Sequence, residues 1–224
     1  MTRGEGPGRA RQSELSRADR VEQRPPTSQG LPQASRPATR NGMKIRFVSS
    51  DTLVIQQICA LLPAGDITVV PCCVPLQEPH TGDPHRLVGD QLLTAFKLIG
   101  KPVFIEHTGL EVRSLNDFPA GLTRLFWETL LKDRFAHFIG RLEDPSARMR
   151  TVIGYCDGRK RHYFEACLEG RIAPEPAGTS GDWSSVFVPD GSERTLAELA
   201  GPEAPVLPRK QAVDALVAFL REHR

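Results

Sequence analysis

The chain has 224 residues, and 39% of them are hydrophobic, which is enough for a substantial core in one large or two small domains. Its net charge of +2 hides an uneven distribution, because residues 1–42 carry eight arginines against four acids and leave the remainder with −2. No stretch approaches the roughly 18 apolar residues that span a bilayer, so the composition excludes a transmembrane protein.

Residues 1–42 are rich in Arg, Pro and Gly and contain no aromatic side chain. Such a segment cannot bury enough apolar surface to offset its ordering entropy, which predicts a disordered tail before a domain at residues 43–224. Its arginines are scattered, so we expect no nucleic-acid or membrane partner, although a phosphate-attracting arm stays open as an alternative. Translation from an upstream start is a second alternative, since Met43 opens a typical first strand.

Two further features predict a cytoplasmic protein. The tail lacks the apolar core of a signal peptide, and its acids and prolines are not typical of a transit peptide. The five cysteines form no CxxC pair, and most lie in apolar patterns, which favours buried free thiols in a reducing compartment over disulfides or metal ligation. These cysteines are Cys59, Cys72, Cys73, Cys156 and Cys167.

The first half of the domain alternates between strand and helix patterns. The patterns predict strands over residues 44–49, 66–72 and 102–105 and helices over residues 53–62 and 84–99. The sequence Ser49-Ser50-Asp51 offers an N-cap to the first helix, and Gly100 ends the second. This β-α-β-α-β order with short connections predicts an α/β domain with a mostly parallel sheet.

The second half begins with a predicted short strand over residues 110–115 and helices over residues 121–131 and 134–139. Residues 148–156 and 161–168 predict a hairpin, because Asp157 and Gly158 between them suit a tight turn. Two C-terminal helices are predicted to begin at Thr195 and Arg209.

The strand after Gly100 is expected to end in Glu106-His107-Thr108-Gly109-Leu110 and to turn at the glycine. A buried strand that delivers an acid, an imidazole and a hydroxyl to its carboxyl end predicts a functional site on a rigid support. His107 suits three roles there, as a base, as a transition-metal ligand or as a strand-end residue facing water.

Other polar residues add to this site. Ser49, Ser50 and Asp51 could bind an anion through helix N-terminal amides and hydroxyls, or they could simply cap the helix. Carboxylates near a phosphate-binding helix end suggest Mg²⁺ with a phosphorylated substrate. The polar groups that this layout could bring to one sheet edge are Glu78, Asp83, Asp90, Glu106 and His107. Trp183 and Phe187 could stack on a nucleobase or belong to the core.

Taken in order, the motifs resemble those of the inosine triphosphate pyrophosphatase family, and the resemblance covers nearly all of residues 43–224. The family's core motif E-D-S/T-G-L corresponds to Glu106–Leu110, and its R-x-A-x-F/Y-x-C strand is similar to residues 150–158. Its F-x-P-x-G turn resembles residues 187–191, and its G-x-P-G segment resembles residues 116–121.

The resemblance implies an elongated two-lobed α/β fold, with a twisted central mixed sheet flanked by helices and a nucleotide groove between the lobes. It implies hydrolysis of a non-standard purine nucleoside triphosphate to a monophosphate and pyrophosphate, with Mg²⁺, or alternatively Mn²⁺, as cofactor. Homodimers are frequent in the family, so a homodimer is a further expectation.

The resemblance also assigns roles to residues. Glu78 and Glu106 would hold the metal ion, and His107 would orient or deprotonate the attacking water beside Glu106. The implied substrate-binding residues are Ser49, Ser50, Asp51, Thr108, Gly109, Trp183, Phe187 and Arg209.

Several motif positions depart from the family pattern. His107 replaces the second acid of the core motif, which exchanges a hard oxygen ligand for a softer nitrogen. The family's S/T-x-x-N-x-K-like phosphate loop corresponds to Ser49-Ser50-Asp51, where Asp51 replaces the asparagine and the lysine is absent. Its F-G-W/Y-D-P base-recognition loop corresponds to residues 183–187, where Ser184 stands at the acid position. Two alternatives therefore accompany the hydrolase prediction: a catalytically impaired relative that serves as a nucleotide-binding or regulatory subunit, and a related enzyme for a different base.

Overall fold

The computed structural model describes residues 42–62, 65, 67–199, 205 and 207–223. The predicted tail therefore lies outside the described residues, apart from Gly42. None of the helices in the described ranges is long and apolar enough to cross a membrane.

Seven strands and four α-helices make up the described part of the chain. The strands are β1 (Met43–Val48), β2 (Ile67–Cys72), β3 (Val103–Val112), β4 (Phe118–Pro119), β5 (Ser146–Cys156), β6 (Arg161–Ile172) and β7 (Phe187–Pro189). The helices are α1 (Thr52–Leu61), α2 (Pro84–Ile99), α3 (Thr123–Ile139) and α4 (Pro208–Glu222). Three short 3₁₀ turns lie at Arg113–Leu115, Ala120–Leu122 and Trp183–Ser185.

The strands form one mixed sheet in the order β2-β1-β3-β5-β6-β7, with β4 paired to β3 off this path. Strand β1 pairs in parallel with β2 and β3, whereas β5, β6 and β7 add antiparallel pairs. The prediction of a central mixed sheet flanked by helices is confirmed. The mostly parallel sheet expected from the strand and helix order alone is wrong, because the hairpin β5–β6 extends the sheet with antiparallel strands.

Helices cover both faces of the sheet. Helices α1 and α4 enclose one apolar cluster around Phe47 and Phe104, whose rings stack 4.8 Å apart. Helix α2 packs through Leu87, Val88 and Leu92 on the cluster that contains Val103 and Ile105, and α3 contributes Phe135 to a third cluster. Because Phe104 and Ile105 are neighbours in one strand, they point to opposite faces, which fixes the faces of the residues that follow.

Strand β3 corrects the prediction that the strand ends in the Glu106 motif and turns at Gly109. Strand β5 pairs with all ten residues of β3, from Val103 opposite Cys156 to Val112 opposite Ala147. The motif therefore lies within a strand, and the chain continues straight through Gly109. The separate strand predicted over residues 110–115 is the end of β3 followed by a 3₁₀ turn.

Three other predictions concern the helices after residue 121, the segment that begins at Thr195, and the burial of the cysteines. The break between the two helical segments after residue 121 is confirmed, because α3 is interrupted at Leu131, whose φ is 61°. Thr195 opens only one turn, in which Glu198 Oε2 accepts hydrogen bonds from its N–H at 2.9 Å and its hydroxyl at 3.0 Å. The cysteines are all free, but Cys59, Cys73 and Cys167 are exposed, so the prediction of buried thiols is wrong for these three.

Candidate functional site

A cleft of about 680 Å³ opens along the middle of β3. Strand β1 pairs with β3 only at Val103 and Phe104, and β4 pairs only with Glu111 and Val112. The edge of β3 between these pairs carries the Glu106 motif and faces no neighbouring strand among the described residues. The topology thus places polar side chains of both faces of β3 beside one opening.

Most predicted site residues line this cleft together. They are Ser49, Ser50, Asp51, Glu78, Glu106, His107, Thr108, Trp183 and Arg209. Gly109 and Phe187 are not among the lining residues, and neither are Asp83, the N-cap of α2, and Asp90 within α2. The cleft therefore gathers residues from β3, α4 and the loops after β1, β2 and β6.

Glu106 is the acid of a buried ion pair. Its side chain is 3% exposed, and Oε1 accepts a hydrogen bond from Arg209 Nε at 3.0 Å. The Thr108 hydroxyl also donates to Glu106 Oε1 and lies 2.7 Å from the buried hydroxyl of Thr151. Arg209 in turn donates to Gln57 of α1, so one network joins β3, β5, α1 and α4.

Glu78 belongs to a second, more exposed set of charges. Its Oε1 accepts from Arg124 at 3.3 Å, and Arg124 Nε also donates to Glu128 at 2.9 Å. Both acids raise the pKa of the Arg124 guanidinium, mainly through the Glu128 hydrogen bond, so Arg124 stays charged at any physiological pH. A single cation at the start of α3 thus holds two acids of the cleft.

His107 lies on the opposite face of β3 from Glu106. Burial lowers the pKa of His107 below its ordinary value, and the charges of Glu106 and Glu78 and the Ala120 backbone oppose this only in part. The imidazole is therefore neutral at pH 7, as a general base must be. Its Nε2 is buried and has no hydrogen-bond partner among the described residues.

The Ser49-Ser50-Asp51 turn caps helix α1. Asp51 Oδ1 accepts hydrogen bonds from the N–H groups of Leu53 at 2.8 Å and Val54 at 3.2 Å, and Ser49 Oγ accepts from the N–H of Asp51. The Asp51 carboxylate thus accepts the hydrogen bonds that the helix N-terminal amides would otherwise donate to an anion. A phosphate at this helix end would meet a negative charge, so the two serine hydroxyls are the groups that remain for it.

The loop before β7 supplies Trp183 and an acid that the sequence reasoning missed. Asp182 lines the cleft, and its Oδ1 accepts from Ser180 Oγ at 2.8 Å and from the Ser184 N–H at 2.9 Å. Burial acts to raise the pKa of Asp182, but the hydrogen bonds from Ser184 and Ser180 outweigh it, and the net pKa is lowered. Its position next to Trp183 was the available signal.

Gly109 and Phe187 contribute to the packing of the fold and do not line the cleft. A Cβ on Gly109 would meet the Ala120 carbonyl oxygen and approach the Thr123 hydroxyl, so the absence of a side chain lets β3 pack against the turn before α3. Phe187 is fully buried in the cluster that α3 covers. Neither residue therefore presents a side chain to a ligand in the cleft.

The polar residues of the lining also include Gln57, Arg124, Glu128 and Thr151. They come from α1, α3 and β5, far in sequence from the Glu106 motif. Thr151 lies in the segment that is similar to the family's strand motif over residues 150–158, but nothing in that motif marked its side chain as part of a site.

The donor set fits a magnesium ion that binds together with a phosphorylated substrate. Mg²⁺ is usually held by one or two carboxylates and by substrate phosphates, and Glu78 and Glu106 lie close enough for both to act on His107. Within the described ranges no group of three His, Cys, Asp or Glu side chains converges on one point. The chain's own ligands would therefore be the two carboxylates.

Comparison with known proteins finds relatives named as nucleoside triphosphate pyrophosphatases. An inosine triphosphate pyrophosphatase from Scheffersomyces stipitis is 26% identical over 189 residues, which cover 79% of this chain and 97% of that protein. A dITP/XTP pyrophosphatase from Pyrococcus horikoshii is 27% identical over 181 residues, covering 80% of this chain and 97% of its own.

Solved structures share the fold. A HAM1 protein from Coxiella burnetii matches with a TM-score of 0.69 and 22% identity, over 80% of this chain and 99% of that chain. The model of the Ham1 family matches residues 37–219, which span all the described strands and most of α4. The resemblance to inosine triphosphate pyrophosphatases is thereby confirmed, and the chain belongs to the Ham1 family.

Proposed function

We propose that this protein hydrolyses nucleoside triphosphates to monophosphates and pyrophosphate. The observation that carries the proposal is the cleft itself. Its lining includes the acids Glu78 and Glu106, the His107 imidazole, the hydroxyls of Ser49 and Ser50, and the Trp183 indole. The relatives named as inosine triphosphate and dITP/XTP pyrophosphatases match this chain over nearly their full length, which supports a purine triphosphate as the substrate.

The proposed reaction consumes one water. The water oxygen bonds to the α-phosphorus, the bond from that phosphorus to the α–β bridging oxygen breaks, and pyrophosphate leaves with the bonding electrons. The proton of the water passes to a base. His107 is the candidate for that base, because its imidazole is neutral at pH 7 and lies near both cleft glutamates.

The remaining roles follow from position and charge. Glu106 and Glu78 would hold Mg²⁺, or Mn²⁺ as the alternative, and the bound ion would offset the charge of the phosphates. Ser49 and Ser50 would contact phosphates, and Trp183 would stack on the base. Thr108 and Arg209 would support Glu106 through the hydrogen bonds described above.

We further propose that the protein works in the cytoplasm and forms a homodimer. Five free thiols fit a reducing compartment. Phe118 and Leu125 are exposed apolar side chains near the start of α3, which is compatible with a partner surface. Analytical ultracentrifugation of the whole chain tests the dimer, and a single species at monomer mass up to high protein concentration would exclude it.

The decisive experiment measures pyrophosphate release from a panel of nucleoside triphosphates, first with Mg²⁺ and then with Mn²⁺. We expect inosine and xanthosine triphosphates to be the best substrates. Glu106→Gln and His107→Ala should each lower kcat by about 100-fold or more, the range for removing an acid–base or metal-holding group. Glu175→Gln, which alters an acid that is 81% exposed and pairs with Arg141, serves as the control.

The outcomes separate the alternatives. Turnover that depends on Glu106 and His107 but not on Glu175 supports the hydrolase. Nucleotide-dependent thermal stabilisation without turnover would instead support the nucleotide-binding or regulatory subunit. Absence of both would overturn the proposal.

A further inference from the structure

The end of the sheet where β1 and β3 begin carries a group of cations outside the cleft. Val103, the first residue of β3, pairs with Cys156, the last of β5, so Lys101 and the turn between β5 and β6 lie at this end. The N–H of Arg46 donates to the Pro102 carbonyl oxygen at 3.2 Å, which brings β1 to the same place. We call this surface the basic end, and its cations are Lys44, Arg46, Lys97, Lys101, Arg159, Lys160 and Arg161.

Helix α2 and the β5–β6 turn bring the other cations together. A Cβ on Gly158 would lie 3.1 Å from the Phe96 ring, so the turn packs on the last turn of α2, beside Lys97. A Cβ on Gly89 would lie 3.8 Å from Arg161 Nη1, which places Arg161 along the same helix. Strand β1, helix α2 and the β5–β6 hairpin therefore form one surface.

The basic end has little negative charge to offset these cations. Strand β1, residues 91–105 and residues 158–164 contain no Asp or Glu. Among the described residues, none of the seven cations has an acid within 4.0 Å, and all except the half-buried Arg46 are exposed. Residues 43–224 carry a net charge of −2, so the fold itself concentrates positive charge at this end.

The single acid of the turn, Asp157, is engaged elsewhere. Its Oδ1 accepts hydrogen bonds from the backbone N–H groups of Arg159 and Lys160 at 2.7 Å each, and its Oδ2 lies 3.7 Å from His162 Nε2. The carboxylate thus fixes the shape of the turn and leaves the side chains of Arg159 and Lys160 to solvent.

The N-terminal segment adds charge of the same sign. Residues 1–42 carry eight arginines against four acids and no lysine, and they end two positions before Lys44. Arginine can donate two parallel hydrogen bonds to a phosphate group. Scattered arginines alone gave no reason to expect a nucleic-acid partner, but a fixed cationic surface at their point of attachment does, because both sets can neutralise one polyanion.

We infer that the basic end, together with the arginines of residues 1–42, binds the phosphate backbone of a nucleic-acid duplex without reading its sequence. A duplex carries one negative charge per about 1.7 Å of its axis, more than a single strand. Residues 43–46, 97–101 and 157–161 contain no aromatic side chain on which the bases of a single strand could stack.

Two further observations define this inference. A membrane surface fits less well, because stable anchoring needs apolar insertion besides basic charge, and Leu98 is the one large apolar side chain exposed in these segments. None of the seven cations lines the cleft, so the inference is independent of the proposed hydrolase activity.

Two variants and a control of the full chain test this inference. The first variant combines Lys101→Gln, Arg159→Gln and Lys160→Gln, and the second replaces the eight arginines of residues 1–42 by serine. The control removes three charges from arginines that are at least 56% exposed and that each pair with an acid, by changing to Gln the residues Arg86, Arg113 and Arg141.

The probe is a fluorescein-labelled DNA duplex of about 20 base pairs, and fluorescence anisotropy measures its Kd from about 50 to 200 mM NaCl. For the first variant we expect the Kd at about 100 mM NaCl to rise tenfold or more, and the slope of log K against log salt to become shallower by about 2 to 3. The serine variant should also bind more weakly with a shallower slope. The control should stay within about threefold of the unaltered protein, as should duplexes of different sequence, whereas a single strand of the same length should bind more weakly.

Thermal unfolding and pyrophosphate release check that each variant is folded, and both should be unchanged in the first variant. If the triple change does not fold, Lys160→Gln alone should still make the slope shallower by about 1. No duplex binding by the unaltered protein at about 50 mM NaCl, or equal losses in the first variant and the control, overturns the inference. Binding to vesicles that contain phosphatidylserine, without binding to the duplex, also overturns it and makes this surface a membrane contact.

Discussion

Two acid–arginine pairs in the same cleft differ mainly in burial. The Glu106 and Arg209 side chains are 3% and 19% exposed, and further hydrogen bonds from Thr108 and to Gln57 surround them. The Glu78 and Arg124 side chains are 43% and 54% exposed. The same two chemical groups therefore form a fixed part of the fold in one place and an exchangeable contact in the other, because desolvation makes a buried charge costly to leave unpaired.

The difference assigns separate tasks to the two glutamates. Glu106 is held from α4 and β5 before any ligand binds, so its geometry is set by folding. Glu78 lies in the loop after β2 and depends on an exposed side chain of α3. The predictions below test how far burial separates these pairs, in order of decreasing effect.

The largest effect is expected for Arg209→Met. This change leaves the Glu106 carboxylate buried without its cation, which costs about 3–5 kcal/mol of unfolding free energy. Urea unfolding at pH 7 measures the loss. Arg171→Met, which removes an arginine from an exposed pair with Glu193, is the control and should cost less than about 1 kcal/mol. Equal losses for the two variants would remove the distinction between the buried and the exposed pair.

A smaller loss is expected for Thr151→Val. The Thr151 side chain is fully buried, and its hydroxyl lies 2.7 Å from that of Thr108. Thr108 retains its bonds to Glu106 and Arg209, so only one neutral hydrogen bond disappears, worth about 0.5–1.5 kcal/mol. The same urea titration measures it. A loss as large as that of Arg209→Met would mean that the hydroxyls, and not the ion pair, hold this side of the cleft.

Glu78→Gln should change stability by less than about 1 kcal/mol, because an exposed ion pair gains little over solvation in water. The small effect should shrink further in 0.5 M NaCl, about the range where screening shortens the reach of surface charges. Thermal unfolding at low and high salt measures both. A salt-independent loss of several kcal/mol would show that the pair is part of the fold after all.

The smallest effect concerns pH. The folded pKa of Asp182 is lowered, because the hydrogen bonds from Ser184 and Ser180 outweigh the effect of burial. A lowered folded pKa stabilises the protein fully above the unfolded pKa, and the contribution is lost as the pH falls through the folded value, so the loss begins below about pH 4. Acid unfolding of the unaltered protein and of Asp182→Asn should diverge above that pH and converge below it. A constant difference across the range would contradict the assignment.

The strand that carries Glu106 shows that the local sequence predicts the presence of a strand but not its length. Its apolar run predicts a strand, but its length was predicted too short, because the polar residues Glu106 and His107 interrupt the apolar pattern. Strand β5 pairs with β3 through Val112, and the paired residues lie 35 to 53 positions further along the chain. Long-range pairing decides such a boundary, since the ladder hydrogen bonds come from the partner and not from the local pattern.

The sequence by itself determined the strand and helix order through apolar periodicity, and the family through motifs whose order survives the replacement of individual residues. Nine of the residues that it singled out line one cleft, which the middle of β3 forms together with the start of α4 and the loops after β1, β2 and β6.

Only the tertiary structure decided which groups each charged side chain contacts. Asp51 caps α1, Glu106 pairs with Arg209 from the last helix, and Arg124 joins Glu78 to Glu128. It also decided that Phe187 belongs to the core. Burial and electrostatic pairing depend on which distant segments pack together, and no local pattern specifies those contacts.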